Sequence, residues 1–180
     1  MIHLFLATGF EEIEALATLD ILRRFGLEVC TVSVTGTRLI HGAHGIPVMA
    51  DTLFRRLDID SSDCLIFPGG MPGAKNLLVC DALRRCLIAH HNKEKLIAAI
   101  CAAPIILGKA GILKGKNATC YPGFEGYLEG ANCKNSLVEV DGNIITAKGP
   151  GATIEFAFAI ASRFMEPARL NEMRFNMILE

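Results

Sequence analysis

Short apolar runs typical of buried strands alternate along the chain with stretches whose apolar residues recur at helical spacing. The predicted strands cover residues 2–7, 28–34, 38–40, 46–49, 64–67, 96–100, 117–120, 137–140 and 144–147. The predicted helices cover residues 11–25, 74–91 in two pieces, 104 to about 110, 152–164, and a last one from about 168. This alternation predicts an α/β fold, an open and largely parallel sheet with helices on both faces.

In such a sheet the functional residues collect beyond the carboxyl ends of the strands. Three loops follow predicted strands in this way, after Ala7, after Phe67 and after Ile100. We therefore expect a functional site that is built from these three loops.

Composition and charge indicate which classes of protein are compatible with this sequence. The chain has 180 residues, 51% hydrophobic and 21% charged, which predicts one globular domain over residues 1–180. A formal net charge of −1 gives no electrostatic footprint for nucleic acid or for an anionic membrane. Seven cysteines without a Cys-x-x-Cys pair or zinc spacing favour free thiols in a reducing compartment, and no metal site is expected. The chain begins without a basic leader, and its longest apolar run, 96–107, is too short to cross a bilayer, so we expect a cytoplasmic protein.

The candidate nucleophile is Cys101, which directly follows the strand predicted at 96–100. Pro104 fits the first turn of the next helix, and Ala99 and Ala103 are small. A nucleophile flanked by small residues at a strand-to-helix turn is typical of a nucleophile elbow. The helix dipole favours the thiolate there, so we predict a thiol pKa well below about 8.5. The alternative is a buried structural cysteine, because cysteine is among the most buried residue types.

Glu14 is the candidate acid–base residue. At 100° per residue it lies on an apolar helix face with Ala17, Ile21 and Phe25. The opposite, polar side is formed by Glu12, Asp20, Arg23 and Arg24. Partial burial would raise the pKa of Glu14, and a protonated carboxyl there could hydrogen-bond a thiolate or move a proton. The alternative is a structural glutamate whose hydrogen bonds are satisfied.

Backbone amides are the candidate oxyanion donors. The Pro68-Gly69-Gly70 segment could bring bare N–H groups close to a developing oxyanion, although the same residues also form ordinary turns. Ala102, one residue past the nucleophile, would supply the second amide. Because no histidine follows Cys101, protease activity is not expected.

Four segments resemble the ThiJ/PfpI superfamily in their order and in their spacing over nearly the whole chain: EEIE at 11–14, PGG at 68–70, AICAAP at 99–104 and GPG at 149–151. Within it the chain is similar to the branch of the Parkinson-disease protein deglycase and its bacterial ThiJ-type relatives. The resemblance implies a flavodoxin-like three-layer sandwich, a homodimer, and a reactive cysteine hydrogen-bonded to a protonated glutamate. These two residues map onto Cys101 and Glu14, and the family's backbone donors map onto Gly70 and Ala102.

The chain departs from that branch at two positions. Tyr121, before Pro122, stands where the branch often has a histidine, and His44 stands where the family has a hairpin arginine near the partner subunit's site. Together with Gly69, these residues are predicted to line the pocket. Tyrosine, with an unperturbed pKa of about 10, is no base at neutral pH but can donate a hydrogen bond.

The resemblance implies a cysteine-dependent glyoxalase or deglycase that uses no metal or organic cofactor. Its substrate would be a small carbonyl compound such as methylglyoxal, or glycated proteins and nucleotides. The alternative is a redox-sensing stress protein or holdase chaperone, in which Cys101 is oxidised to a sulfinate that Glu14 stabilises. A third interpretation is a dimerisation scaffold whose thiol has no enhanced reactivity.

Overall fold

The computed structural model describes residues 1–179. Its strands are β1 Ile2–Leu6, β2 Val29–Ser33, β3 Leu39–His41, β4 Pro47–Met49, β5 Thr52–Leu53, β6 Cys64–Phe67, β7 Leu96–Ile100, β8 Asn117–Ala118, β9 Asn132–Cys133, β10 Val138–Asp141 and β11 Ile144–Ala147. Its α-helices are α1 Glu12–Arg24, α2 Gly73–Leu78, α3 Asp81–Asn92, α4 Pro104–Lys109, α5 Thr153–Ala161 and α6 Pro167–Asn176.

Seven strands form the central sheet in the order β10-β11-β7-β6-β1-β2-β5. All neighbours are parallel except β10, which is antiparallel to β11. The inner order β2-β1-β6-β7-β11 is that of flavodoxin-like sheets, in which the chain changes direction between β1 and its neighbour β6. The carboxyl ends of β1, β6 and β7 therefore lie side by side, and the three predicted loops meet there.

Helices cover both faces of the sheet. Helix α1 packs against α5, whereas α2 contacts α3 and α4. Right-handed crossovers place these two groups on opposite faces, because the chain leaves β1 in one direction along the sheet and leaves β6 in the other. Every residue of β1, β6, β7 and β11 is buried, as expected for parallel strands covered on both faces. The predicted α/β three-layer sandwich is confirmed.

The smaller elements differ from the prediction. Strands β5 and β9 were not predicted, because two residues are too few to show a strand period. The hairpin of β3 and β4 forms its own two-stranded sheet, and β8 pairs with β9. The helix predicted at 152–164 is shorter, because residues Pro150–Ala152 form a 3₁₀ turn before α5 begins.

The polar side predicted for α1 is wrong at Glu12, which is buried. The tip of the β3–β4 hairpin closes over this side chain. Glu12 Oε1 accepts hydrogen bonds from the backbone N–H of His44 at 2.7 Å and of Ile46 at 3.4 Å. Helix periodicity contains no information about this contact, because the hairpin comes from a distant part of the sequence.

None of the helices within residues 1–179 combines the length and the apolar character that crossing a membrane requires.

Candidate active site

Cys101 occupies the turn between β7 and α4 with a φ of +65°. This left-handed conformation is strained for a residue with a side chain, and it is the geometry of a nucleophile elbow. Two backbone hydrogen bonds hold the turn. The N–H of Cys101 donates to the carbonyl of Ala147 at 2.9 Å, and its carbonyl accepts from the N–H of Tyr121 at 2.8 Å. The predicted elbow is therefore present in the fold.

Glu14 lies in the first turn of α1 and is only 1% exposed. Its Oε2 accepts a hydrogen bond from the N–H of Gly69 at 2.7 Å, which ties α1 to the loop after β6. Within the described part of the chain, its Oε1 has no hydrogen-bond partner. The Cys101 thiol is the neighbouring side chain that interacts with this carboxyl. The structure thus brings the two predicted chemical groups together.

The glycines after β6 permit this close approach. A Cβ on Gly69 would lie 2.7 Å from the Cβ of Cys101 and 2.8 Å from Oε2 of Glu14. Gly70 has a φ of +84°, and a Cβ there would lie 2.3 Å from the backbone nitrogen of Glu11. Any side chain at either position would push the elements of the site apart, so both positions require glycine.

The predicted backbone donors face the sulfur of Cys101. The N–H groups of Gly70 and Ala102 lie near the sulfur and lower its pKa. Two amides that converge on one atom can stabilise a thiolate, or an oxyanion that develops beside it.

Burial raises the pKa of both members of the pair. The pKa of Glu14 rises to about 7, since burial outweighs the contacts with Cys101 and Gly69, which lower it. The pKa of Cys101 rises to about 12, because burial, the charge of Glu14 and the contact with its carboxyl outweigh the two amides. The predicted lowering of the thiol pKa is therefore wrong. The helix dipole is too weak to offset these effects, since α4 is only six residues long and the sulfur lies beside a carboxyl group.

Cys101 and Glu14 titrate as a pair. The pocket disfavours any charge, and it disfavours a second negative charge beside the first most strongly. The pair therefore loses its first proton at a much lower pH than its second. When the remaining proton is on Glu14, the carboxyl becomes a hydrogen-bond donor and its negative charge is absent. The negative charge of Glu14 and its role as an acceptor for the thiol, which both raise the thiol pKa, are then removed.

Tyr121 and Pro122 line an open cavity of about 290 Å³. Its other walls are Leu137, Lys148 and residues 149–152. Tyr121 is half exposed, with its ring against Gly149, where a Cβ would lie 3.2 Å from the ring. The two predicted pocket residues therefore line a cavity that borders the Cys101 elbow, to which Tyr121 is hydrogen-bonded through its backbone.

His44 contacts α1 instead of Cys101 and Glu14. It is exposed at the hairpin tip, with its ring Nδ1 2.8 Å from Oε2 of Glu12, and this hydrogen bond raises the pKa of His44. Glu11, Glu12 and His44 bring one possible metal ligand each within 4.8 Å of one another. The oxygens of Glu12 already accept hydrogen bonds from the hairpin, and Oε2 of Glu11 accepts one from the N–H of Glu14.

The sequence profile of the DJ-1/PfpI family matches residues 1–163. The chain belongs to this family. DJ-1 homolog B of Arabidopsis thaliana is 36% identical over 175 residues, which cover 96% of this chain and 40% of that protein. The chain spans less than half the length of the two Arabidopsis DJ-1 homologs that it matches. The predicted membership of the ThiJ/PfpI superfamily is thereby confirmed.

A relative of similar length comes from Caenorhabditis elegans. Glutathione-independent glyoxalase DJR-1.2 is 31% identical over 165 residues, covering 91% of this chain and 87% of that protein. Among solved structures, oxidized DJ-1 of Toxoplasma gondii superimposes with a TM-score of 0.94 at 34% identity, covering 99% of this chain and 97% of that one. The flavodoxin-like arrangement of this DJ-1/PfpI chain is therefore that of its relatives.

Sequence reasoning missed two features of this DJ-1/PfpI site. The Gly69 amide was not predicted to anchor Glu14, because a Pro-Gly-Gly turn does not reveal which of its N–H groups points inward. Lys148 was also missed, although it directly follows β11 and precedes the GPG segment. Its position beyond the carboxyl end of a strand of the sheet is the sequence signal that points to it.

Proposed function

We propose that this chain is a cysteine-dependent glyoxalase or deglycase that converts methylglyoxal, or its early adducts on proteins and nucleotides, without a cofactor. The observation that carries the proposal is the buried Glu14 carboxyl beside the Cys101 thiol, where the Gly70 and Ala102 amides converge. The name of the C. elegans relative, glutathione-independent glyoxalase, supports the same reaction class.

The first step uses the proton that the pair retains. With that proton on Glu14, the Cys101 thiolate adds to the aldehyde carbon of methylglyoxal and forms a carbon–sulfur bond. The carbonyl electron pair moves to the oxygen, where the Gly70 and Ala102 amides stabilise it and Glu14 delivers its proton. The product is a hemithioacetal, and Glu14 is left as a carboxylate.

The later steps transfer a proton between adjacent carbons. The Glu14 carboxylate removes the proton from the carbon that carries sulfur, and the former ketone carbon receives a proton in return. The hydroxyl proton of the first carbon moves to the oxygen of the second, so the first carbon is oxidised to a thioester while the second is reduced to an alcohol, and no external electron donor or acceptor takes part. Water then hydrolyses the thioester, which releases lactate and restores the Cys101 thiol.

Lactate formation from methylglyoxal under reducing conditions tests this proposal. Cys101→Ser should abolish it, and Glu14→Gln should lose on the order of 10²–10⁴-fold in rate, the usual contribution of a general acid–base residue. Cys86→Ala, a half-buried thiol on α3, is the matched control and should retain the wild-type rate. Absence of lactate in the wild type, or an undiminished rate in Cys101→Ser, would refute the proposal.

The same site supports a second candidate function as a redox sensor or holdase chaperone. The observation in its favour is that the donors around the sulfur suit a sulfinate as well as a thiolate. The Gly70 and Ala102 amides can donate to sulfinate oxygens, and a protonated Glu14 adds a third donor. A purified protein that makes no lactate, yet suppresses aggregation of a client only after peroxide treatment, would favour this second function.

The proposal also includes the cellular compartment and the oligomeric state of the protein. We place it in the cytoplasm, where the seven free cysteines would stay reduced. We also propose that two copies associate as a homodimer, as the family resemblance implies. Light scattering on the purified chain would test this directly, since a monomer at all concentrations would contradict it.

A further inference from the structure

The cavity beside Tyr121 borders the turn that carries the nucleophile. The N–H of Tyr121 donates to the carbonyl of Cys101, and the N–H of Cys101 donates to Ala147, the residue before Lys148. Two walls of the cavity are therefore next to residues that hold the elbow in place.

The cavity is larger than methylglyoxal needs. Its volume is about 290 Å³. A water molecule occupies about 30 Å³ in the liquid, so the space accommodates a chain several atoms longer than a three-carbon oxoaldehyde. The volume thus favours substrates that continue beyond the second carbonyl.

The chemistry of the walls is apolar apart from one cation. Pro122 and Leu137 supply apolar surface, and Lys148 supplies a half-buried ammonium group. Its Nζ donates to a neutral partner, Oδ1 of Asn135, at 2.5 Å. Within residues 1–179 no carboxylate forms an ion pair with Lys148. An ammonium group has three donors, so this lysine retains hydrogen bonds and a full charge for a ligand.

We propose that Lys148 selects α-oxoaldehydes whose apolar stem ends in an anionic group. The inference rests on the proposed function, because it assigns the substrate class of that same site. The apolar walls take the stem, the Lys148 ammonium pairs with the terminal anion, and the aldehyde carbon stays at Cys101. Lys148 is a specificity-determining residue in this arrangement, and methylglyoxal is a truncated substrate that leaves the cavity empty.

The test compares an anionic substrate with a neutral analogue of the same stem. The probes are 4,5-dioxopentanoate and its methyl ester, and the readout is the ratio of their kcat/KM values. We expect the wild type to prefer the carboxylate, and Lys148→Met to lower the ratio about two- to fivefold, the effect of losing one partly exposed ion pair. Lys109→Met, which removes an exposed lysine at the end of α4, is the matched control and should leave the ratio unchanged. Added salt should lower the wild-type ratio, because screening weakens the pairing.

A binding experiment keeps this test separate from catalysis. 4-Oxopentanoate has no aldehyde, and its protection of Cys101 from alkylation can be compared with protection by its methyl ester. The inference predicts that the acid protects the wild type better than the ester does, and that Lys148→Met loses this difference. Equal protection by both compounds, or equal kcat/KM ratios in the wild type and Lys148→Met, would overturn it. Absence of turnover combined with selective protection would refute the proposed reaction but leave the anion site standing.

Discussion

Replacing Glu14 with glutamine should stabilise the protein, and the gain should depend on pH. The carboxyl is 1% exposed, and burial raises its pKa from an ordinary value of 4.5 to about 7. One pKa unit corresponds to about 1.4 kcal/mol, so this rise corresponds to about 3 kcal/mol in the free energy of unfolding. Glutamine removes the ionisable group and keeps an oxygen that can accept the hydrogen bond from Gly69.

The direction of this pH dependence follows from the number of protons that the folded and unfolded states bind. Between about pH 4.5 and pH 7 the folded state holds a proton on Glu14 that the unfolded chain has lost. The stability that Glu14 contributes is therefore complete below about pH 4.5 and is lost as the pH rises through 7. The Glu14→Gln variant has no ionisable group at this position, so it does not lose this stability. Its free energy of unfolding should exceed that of the wild type by a small amount at pH 5 and by about 3 kcal/mol at pH 8.5.

The assay is thermal unfolding of both proteins across this pH range. For a chain of this size, about 3 kcal/mol corresponds to roughly 6–12 °C in Tm. Glu129→Gln, which replaces an exposed glutamate, is the control and should follow the wild type at every pH. A Tm difference between Glu14→Gln and the wild type that does not change with pH would refute the assigned burial of the charge, as would a less stable variant at pH 8.5.

Two further predictions concern the space and the reactivity around the sulfur. Gly69→Ala should cost about 1–3 kcal/mol of stability by overpacking and reduce lactate formation at least about 10²-fold, because the new methyl group must displace Cys101 or Glu14. A fully active variant in kinetic assays would contradict the geometry. Mild peroxide should convert Cys101 to a sulfinate before Cys64 or the exposed Cys133 reacts, because the Gly70 and Ala102 amides near its sulfur favour the charged product. Peptide mass spectrometry checks the order, and earlier oxidation of either other cysteine would contradict the prediction.

Local patterns in the sequence were sufficient to predict the framework of the site. Apolar runs marked the parallel strands, and small residues on both sides of Cys101 with Pro104 after it marked the elbow. Helix periodicity placed Glu14 on a buried face. These features depend on residues that are near one another in the chain, so a single sequence contains them.

The features that the sequence did not reveal depend on distant contacts. Glu12 is buried because a hairpin some thirty residues later closes over it, with hydrogen bonds from His44 and Ile46. The pKa of Cys101 depends on how close a carboxyl from another helix lies and on how much water the folded pocket excludes. Neither distance nor burial can be deduced from the order of residues along one strand and one helix.

The central claim is that Cys101 becomes a nucleophile by sharing one proton with Glu14. The rate of Cys101 alkylation by iodoacetamide, resolved by peptide mass from pH 5 to pH 10, tests it most directly. The account predicts a midpoint near 7 in the wild type, where the pair loses its first proton, and a higher midpoint in Glu14→Gln. A wild-type midpoint at or above about 8.5, the value of an unperturbed thiol, would contradict the account, as would coincident profiles for the two proteins.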